Sequence, residues 1–441
     1  METADHEPAE PILLKEPVDG TPPVVADPED LARASERLAA GTGAIAVDTE
    51  RASGYRYWPK AYLVQLRREG AGTVLVDPIA LDGELEPLRQ AINGEEWVLH
   101  AASQDLPCLF ELGLTPASLF DTELAGRLAG YDRVALGTLV EKLLGYTLEK
   151  GHSAADWSKR PLPVDWLNYA ALDVELLVQL REKLEAELAV QGKLEWAHQE
   201  FEAVRTAPPP APRAEPWRRT SGIHKVRTAR GLAAVRALWE ARDELARKRD
   251  RAPSRVLPDS AIVNAVLAEP KTVAELQALP VFGGRVQRRY TANWFRHLQA
   301  ARALPREELP NPAQHNDGPP PANRWADKDP DAAARLAAAR AALNAIAEHR
   351  RLPPENLLLP DLLRRTCWRP PEDKSAESVA EVLRAGGARP WQVELTAEPL
   401  SKALTATAPD KGAPGEKGAA AETDAGAADT DVAPDEGAAA Q

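Results

Sequence analysis

The sequence predicts an α/β domain, a mixed sheet with flanking helices, followed by one or two small all-α bundles. Three observations predict it. Short apolar runs alternate with helical patterns through residues 21–205, two proline-rich stretches then interrupt the chain, and beyond the first of these every periodic segment is helical.

Within 21–205 the order of elements is legible. The runs Ala44 to Val47, Ala61 to Leu66 and Gly72 to Pro78 are separated by turn residues and predict three neighbouring strands of a meander. A helix around Leu85 to Ile92, a strand over Trp97 to Ala101, a helix from Gln104 to Leu112, and a strand at Leu119 to Thr122 with a helix behind it continue the alternation. The last element is a long helix from Trp166 to Leu188, with Leu172, Leu176, Leu177 and Leu180 as its apolar stripe. Strand order does not follow from this pattern.

Proline marks the boundaries. Residues 1–20 are expected to form a flexible segment, and 206–220 and 309–327 are stiff proline-rich linkers. Between them, residues 221–308 read as helices, with Ala234, Ala237, Leu238, Ala241 and Leu245 forming one stripe. A second helical unit occupies 328–401, and the tail 402–441, rich in Ala, Gly and acids, is expected to be disordered.

A chain of 441 residues exceeds a single hydrophobic core. No apolar run is long enough to span a membrane and no basic segment precedes an apolar one at the start, so the expected location is the cytoplasm. Cys108 and Cys367 lie far apart, which argues against a disulfide framework, and Cys108, three residues after Asp105, is expected to be a packing residue rather than a redox or ligand group. The net charge of −13 conceals an uneven distribution. Residues 217–308 carry 19 Lys and Arg against 9 Asp and Glu, a balance of +10, whereas 402–441 has a balance of −5. Phosphate binding follows the local field, so the basic unit is the expected grip on a nucleic acid. Its exposed cations Arg247, Lys248, Arg249, Arg251, Arg285, Arg288 and Arg289 are expected phosphate contacts, each with a solvated helix face as its alternative.

The chemistry lies in four acids and a tyrosine. Asp48 and Glu50 end a strand two residues apart, so both project from one face. Asp105 follows another strand, where a helix begins, and Tyr169 and Asp173 are spaced i, i+4 on one face of a helix. Each motif alone is weak, since a DxE also opens turns and a YxxxD also decorates amphipathic helices. Gathered by a fold, the four carboxylates would repel one another unless cations lay between them. Oxygen-only donors suit Mg²⁺ or Mn²⁺, and two such ions about 3.5–4 Å apart clamp the oxygens of a phosphodiester during in-line displacement. Tyr169 is then placed to orient or deprotonate the attacking water. A further acid, Asp121, reads as a helix N-cap.

The DTE of residues 48–50, the HxxxxD of His100 to Asp105 and the YxxxD of Tyr169 to Asp173 resemble the three motifs of DEDD 3′–5′ exonucleases of the tyrosine subclass. The stretch from Leu136 to Leu177 is similar to ribonuclease D and its exosome-associated relatives, and Gly231 to Val266 resembles the HRDC domain. The segment 328–401 looks like a more divergent HRDC unit. This resemblance implies a ribonuclease H-like fold, two divalent ions, and release of nucleoside 5′-monophosphates from RNA with a single-stranded 3′ end, transfer RNA precursors among them. It implies that Asp48, Glu50 and Asp173 hold the catalytic ion, that Asp48 bridges to a second ion supported by Asp105, and that Tyr169 positions the water. No phosphate-binding loop of the GxxxxGK[ST] type occurs, which excludes the helicase branch of HRDC proteins and a nucleotide cofactor.

In the loop before the third motif, Trp157 is expected to pack against the helix and Arg160 to meet a phosphate. The alternative activities are a 3′–5′ DNA exonuclease, which uses the same five residues, and a non-catalytic RNA-binding scaffold.

Overall fold

Strong β-formers alternating along residues 42–76 pair as the predicted meander. In the computed structural model, which describes residues 10–149, 151–152, 154–285, 287–312 and 318–408, β3 (Thr42–Arg51) and β4 (Ala61–Glu69) are antiparallel, as are β4 and β5 (Gly72–Val76). The chain enters through β1 (Ile12–Leu14), β2 (Val24–Val25) and α1 (Pro28–Ala40), and continues past β5 through α2 (Glu86–Ile92) and β6 (Glu96–Leu99). It then runs through α3 (Leu106–Glu111), β7 (Ser118–Asp121), α4 (Thr122–Ala129), α5 (Leu136–Leu144) and β8 (Tyr146–Leu148). Strands β6 and β7 add in parallel on the far side of β3, and β2 adds in parallel on β5, giving a mixed six-stranded sheet of order β2-β5-β4-β3-β6-β7. The longest strand, β3, is central and carries Asp48 and Glu50 at its end.

The expected helix over 166–188 is two helices, α6 (Val164–Glu175) and α7 (Leu177–Val190), broken at Leu176. The halves bury different surfaces. Ala170 and Ala171 of α6 pack with Leu63, Leu75 and Trp157, whereas Leu177, Leu180, Leu184 and Leu188 of α7 join the main core with Trp97 and Leu139. An unbroken leucine stripe without glycine or proline gives no sign of such a change of partner. Helix α8 (Leu194–Arg205) closes this unit.

The residues expected to be a flexible start include an ordered strand, since Ile12 to Leu14 pair in parallel with Tyr146 to Leu148. Both linkers are shorter at their C-terminal ends than the proline content predicts. Trp217 and Trp325, inside the expected linkers, are core residues of the units that follow. An indole buried by a neighbouring helix outweighs the extended preference of the prolines around it.

The first helical unit comprises α9 (Ala229–Arg249), α10 (Pro253–Val256), α11 (Asp259–Ala268), α12 (Val273–Ala278) and α13 (Thr291–Ala303). The second comprises α14 (Trp325–Lys328), α15 (Pro330–Arg350), α16 (Pro354–Leu357), α17 (Pro360–Trp368), α18 (Ala376–Ala385) and α19 (Pro390–Ala403). Helix α19 runs past the expected start of the tail, and the tail beyond residue 408 lies outside the described residues. Among the described residues no helix is long and apolar enough to cross a membrane.

Candidate metal and catalytic site

Strand pleating projects Asp48 and Glu50 from one face of β3, and α6 crosses that face with Tyr169 and Asp173. The structure brings Asp48, Glu50 and Asp173 together, with one carboxylate oxygen of each within 4.8 Å of the others. Asp105 stands beside this group, at the start of α3, and reaches it from the side of β3 that carries Thr49. Its Oδ1 accepts a hydrogen bond from Thr49 Oγ1 at 2.6 Å and lies 3.8 Å from the Arg51 guanidinium.

Burial and mutual repulsion dominate the electrostatics. Desolvation, then the charges of Asp105 and Asp173, push Asp48 well above the usual carboxylate range, and desolvation with Asp48 does the same to Glu50. Asp173 is pushed up to about 7 by burial, despite hydrogen bonding with Tyr169. Asp105 is raised by burial and eased by Arg51 and Thr49. The Tyr169 phenol is driven far above its ordinary value by burial and by Asp173, Glu50 and Asp48, so it is held protonated. An all-oxygen donor set this buried, with one arginine at its edge, fits a divalent cation: such a charge resolves the repulsion without a change of fold.

The phenol of Tyr169 stands between two clefts. One, of about 450 Å³, is lined by Lys15, Thr21, His152, Asn168 and Tyr169; the other, of about 440 Å³, by Gly137, Thr138, Thr147, Tyr169 and Asp173.

Three supporting residues escaped the reading of the motifs. Thr49 and Arg51 flank Glu50 in the strand and hold Asp105. Asp121 does cap α4, accepting from Glu123 N and Leu124 N, but it also accepts from Ala101 N and Ala102 N. That second pair secures a left-handed Ala101 (φ 60°) in the turn that delivers Asp105. The sequence signal was an acid at the end of the strand beside His100. His100 itself faces away from the acids, bonded to Thr122 Oγ1 at 2.9 Å and held neutral by burial, its pKa near 4.

Trp157 is fully buried and packs on Trp166 of α6 at 5.2 Å, as expected. Arg160 departs from its expected role as a phosphate contact. Its guanidinium is occupied by Asp77 through Nε (2.5 Å) and one terminal nitrogen (2.8 Å), and by the carbonyls of Tyr62, Trp157 and Lys159. All five N–H groups of an arginine are accounted for by such a set, so it ties the loop to the sheet. In the basic unit, Arg247, Lys248, Arg249, Arg251, Arg285, Arg288 and Arg289 are all exposed. Arg247 is also bound to Asp243 at 2.8 Å, and Arg249 lies over the Tyr290 ring at 4.9 Å.

Comparison with known proteins places these features in order. Residues 22–189 match a family model described as 3′-5′ exonuclease, 231–298 the HRDC domain, and 318–404 a model described as 3′ to 5′ exonuclease C-terminal domain. The chain is 32% identical over 308 residues to the Ribonuclease D of Gluconacetobacter diazotrophicus, covering 68% of this chain and 77% of that one. Its match to the Ribonuclease D of Bartonella henselae, 31% identical, spans 58% of that protein's length. Among solved structures, a protein from Bifidobacterium adolescentis superposes with a TM-score of 0.84 at 40% identity, over 90% of this chain and all of that one. Escherichia coli RNase D, described as an exoribonuclease involved in structured RNA processing, superposes with a TM-score of 0.63 at 26% identity over 87% of this chain and 98% of that one.

Proposed function

The chain belongs to the ribonuclease D family, and we propose that it is a 3′–5′ exoribonuclease that trims single-stranded 3′ ends of transfer RNA precursors and other small structured RNAs. One observation carries the site assignment: the convergence of Asp48, Glu50 and Asp173, from β3 and α6, beneath Tyr169. Asp48, Glu50 and Asp173 would hold a Mg²⁺ or Mn²⁺ ion, with Asp105 and Asp48 supporting a second. Bound ions would neutralise the carboxylates and supply the Lewis acidity that activates water and stabilises the leaving oxygen.

The protein's own groups do the rest. Tyr169, its phenol raised far above the ordinary value by burial first and then by the neighbouring acids, is placed to hydrogen-bond and orient the attacking water. Thr49 and Arg51 fix the Asp105 carboxylate, and Asp121 fixes the turn before it. The clefts beside Tyr169 accept the terminal nucleotide, and the basic unit holds the upstream phosphates with its exposed arginines.

The test is incubation with 3′-labelled and 5′-labelled single-stranded RNA, a transfer RNA precursor and matched DNA, with Mg²⁺, Mn²⁺ or EDTA. Stepwise shortening of RNA from its 3′ end, lost with EDTA and reduced by at least about a thousandfold in Asp48→Asn, supports the reading. Equal cutting of DNA would favour the DNA exonuclease, and RNA that is bound but left intact would favour the scaffold.

A further inference from the structure

Gln65 lies on β4 in the middle of the sheet and is fully buried. Neither its Oε1 nor its Nε2 has a hydrogen-bond partner among the described residues. A primary amide has two donors and a two-lone-pair acceptor, and a buried polar group left unmet costs about 1–3 kcal/mol. Its neighbours on the same face, Leu63 on β4 and Leu75 on β5, are apolar, so a leucine would suit the position without that cost.

Register says what the amide is near. Gln65 is the cross-strand partner of Asp48, and Leu63 that of Glu50. Residues directly opposite in an antiparallel pair project to the same face, with Cβ atoms about 4.5–5.5 Å apart. Leu63 and Leu75 pack against Ala170 and Ala171 of α6, so the amide occupies the layer between sheet and helix, beside the first of the clustered carboxylates.

We propose that Gln65 is a positioning residue for Asp48: its amide, unbonded among the described residues and directly across the strand pair, donates an N–H to the Asp48 carboxylate and orients it once a cation is bound. Buried partners of this kind orient the ligands of metal sites, and their loss weakens binding by about 10–100-fold. The inference rests on the metal-site reading above. A second unmet group lies toward the same face: Arg67, two residues along β4, is paired at 3.1 Å with Glu175, whose Oε2 has no partner among the described residues. An amide that turned to Glu175 instead would have no part in the metal site.

The test compares wild type, Asp48→Asn, Gln65→Leu and Gln65→Met as full-length proteins. Mn²⁺ binding is followed by the electron paramagnetic resonance of the free ion, and thermal unfolding is recorded in EDTA. The expected result is Mn²⁺ binding that Asp48→Asn abolishes and that Gln65→Leu weakens by about 10–100-fold, with a melting temperature in EDTA unchanged or higher. Gln65→Met keeps the unbranched shape and gives the same readout if the leucine variant fails to fold. Wild-type affinity in the Gln65 variants, with or without a lower melting temperature, overturns the proposal and leaves the metal site standing. Absence of Asp48-dependent Mn²⁺ binding in the wild type removes both.

Discussion

The two helical units that follow the catalytic unit are joined to it in opposite ways. The first has an apolar core of its own, built on Trp217, Leu238, Ile262 and Trp294. It meets the catalytic unit largely through polar contacts with the loop after β3. Tyr57 OH donates to Asp243 at 3.0 Å, Tyr57 N and Trp58 N both donate to Asp250 Oδ1, Ala252 N to Tyr55 O, and Arg255 Nε to Gly54 O. The second unit shares the core of the catalytic unit, where Trp391 stacks on Trp196 at 4.9 Å and 13°. Lys193, buried at this joint, donates to the carbonyls of Leu128 and Arg351, at the ends of α4 and α15.

Charge divides them in the same way. Residues 229–303 hold 14 Lys and Arg against 7 Asp and Glu, whereas 325–404 hold 12 of each. An apolar joint with balanced charge makes a brace, and a polar joint with excess positive charge makes a module that can engage an anionic polymer. The polar joint also touches the loop that leaves the strand carrying Glu50, so the module is tied to the end of that strand.

The largest effect should come from breaking the brace. Trp391→Ala removes the stack and the Nε1 bond to Glu200, and should cost about 3–5 kcal/mol in urea unfolding. A loss below about 1 kcal/mol would mean the second unit is as separable as the first.

Next in size is the pH dependence set by the clustered acids of the catalytic unit. The carboxyls of Asp48, Glu50, Asp105 and Asp173 are raised in the folded protein above their unfolded values. The stability they contribute is therefore fully present below the ordinary carboxylate range and is lost as pH rises through about 7, the value for Asp173. In EDTA the melting temperature should fall over that window, and Mg²⁺ or Asp173→Asn should flatten the fall.

The charge contrast is tested by replacing Arg247, Lys248, Arg249 and Arg251 with glutamine. RNA affinity should drop by about tenfold or more at low salt, and the slope of log K against log salt should shrink by about 0.7 for each phosphate that is no longer neutralised. The same exchange at exposed Lys328, Arg340, Arg384 and Lys402 should leave binding unchanged. Equal losses from the two sets would erase the distinction between grip and brace. The smallest effect is that of Tyr57→Phe, which removes the hydroxyl that donates to the Asp243 carboxylate and accepts from Arg247, and should weaken the polar joint by about 0.5–1.5 kcal/mol, read as faster hydrogen exchange at the amides of residues 57 and 58.

Much of the catalytic unit was legible because its signals are local. Apolar runs between turn residues located β3, β4 and β5, and an i, i+4 spacing put Tyr169 and Asp173 on one face. The break at Leu176 was not legible, because both halves of the stripe are leucine and only their burial partners differ. Arg160 was misread for a related reason. An arginine before a motif looks the same whether its guanidinium meets a phosphate or, as here, Asp77 and three carbonyls.

By itself, then, the sequence determined the central strands, the acids and the uneven charge, since these depend on residue type and near neighbours in the chain. Only the tertiary structure decided which acids converge, that Asp105 is held by Thr49 and Arg51, and which helical unit shares the catalytic core. It also set Gln65 opposite Asp48. Each of those facts is a contact between residues remote in sequence, fixed by strand register and by the surface each helix buries, and no local preference encodes it.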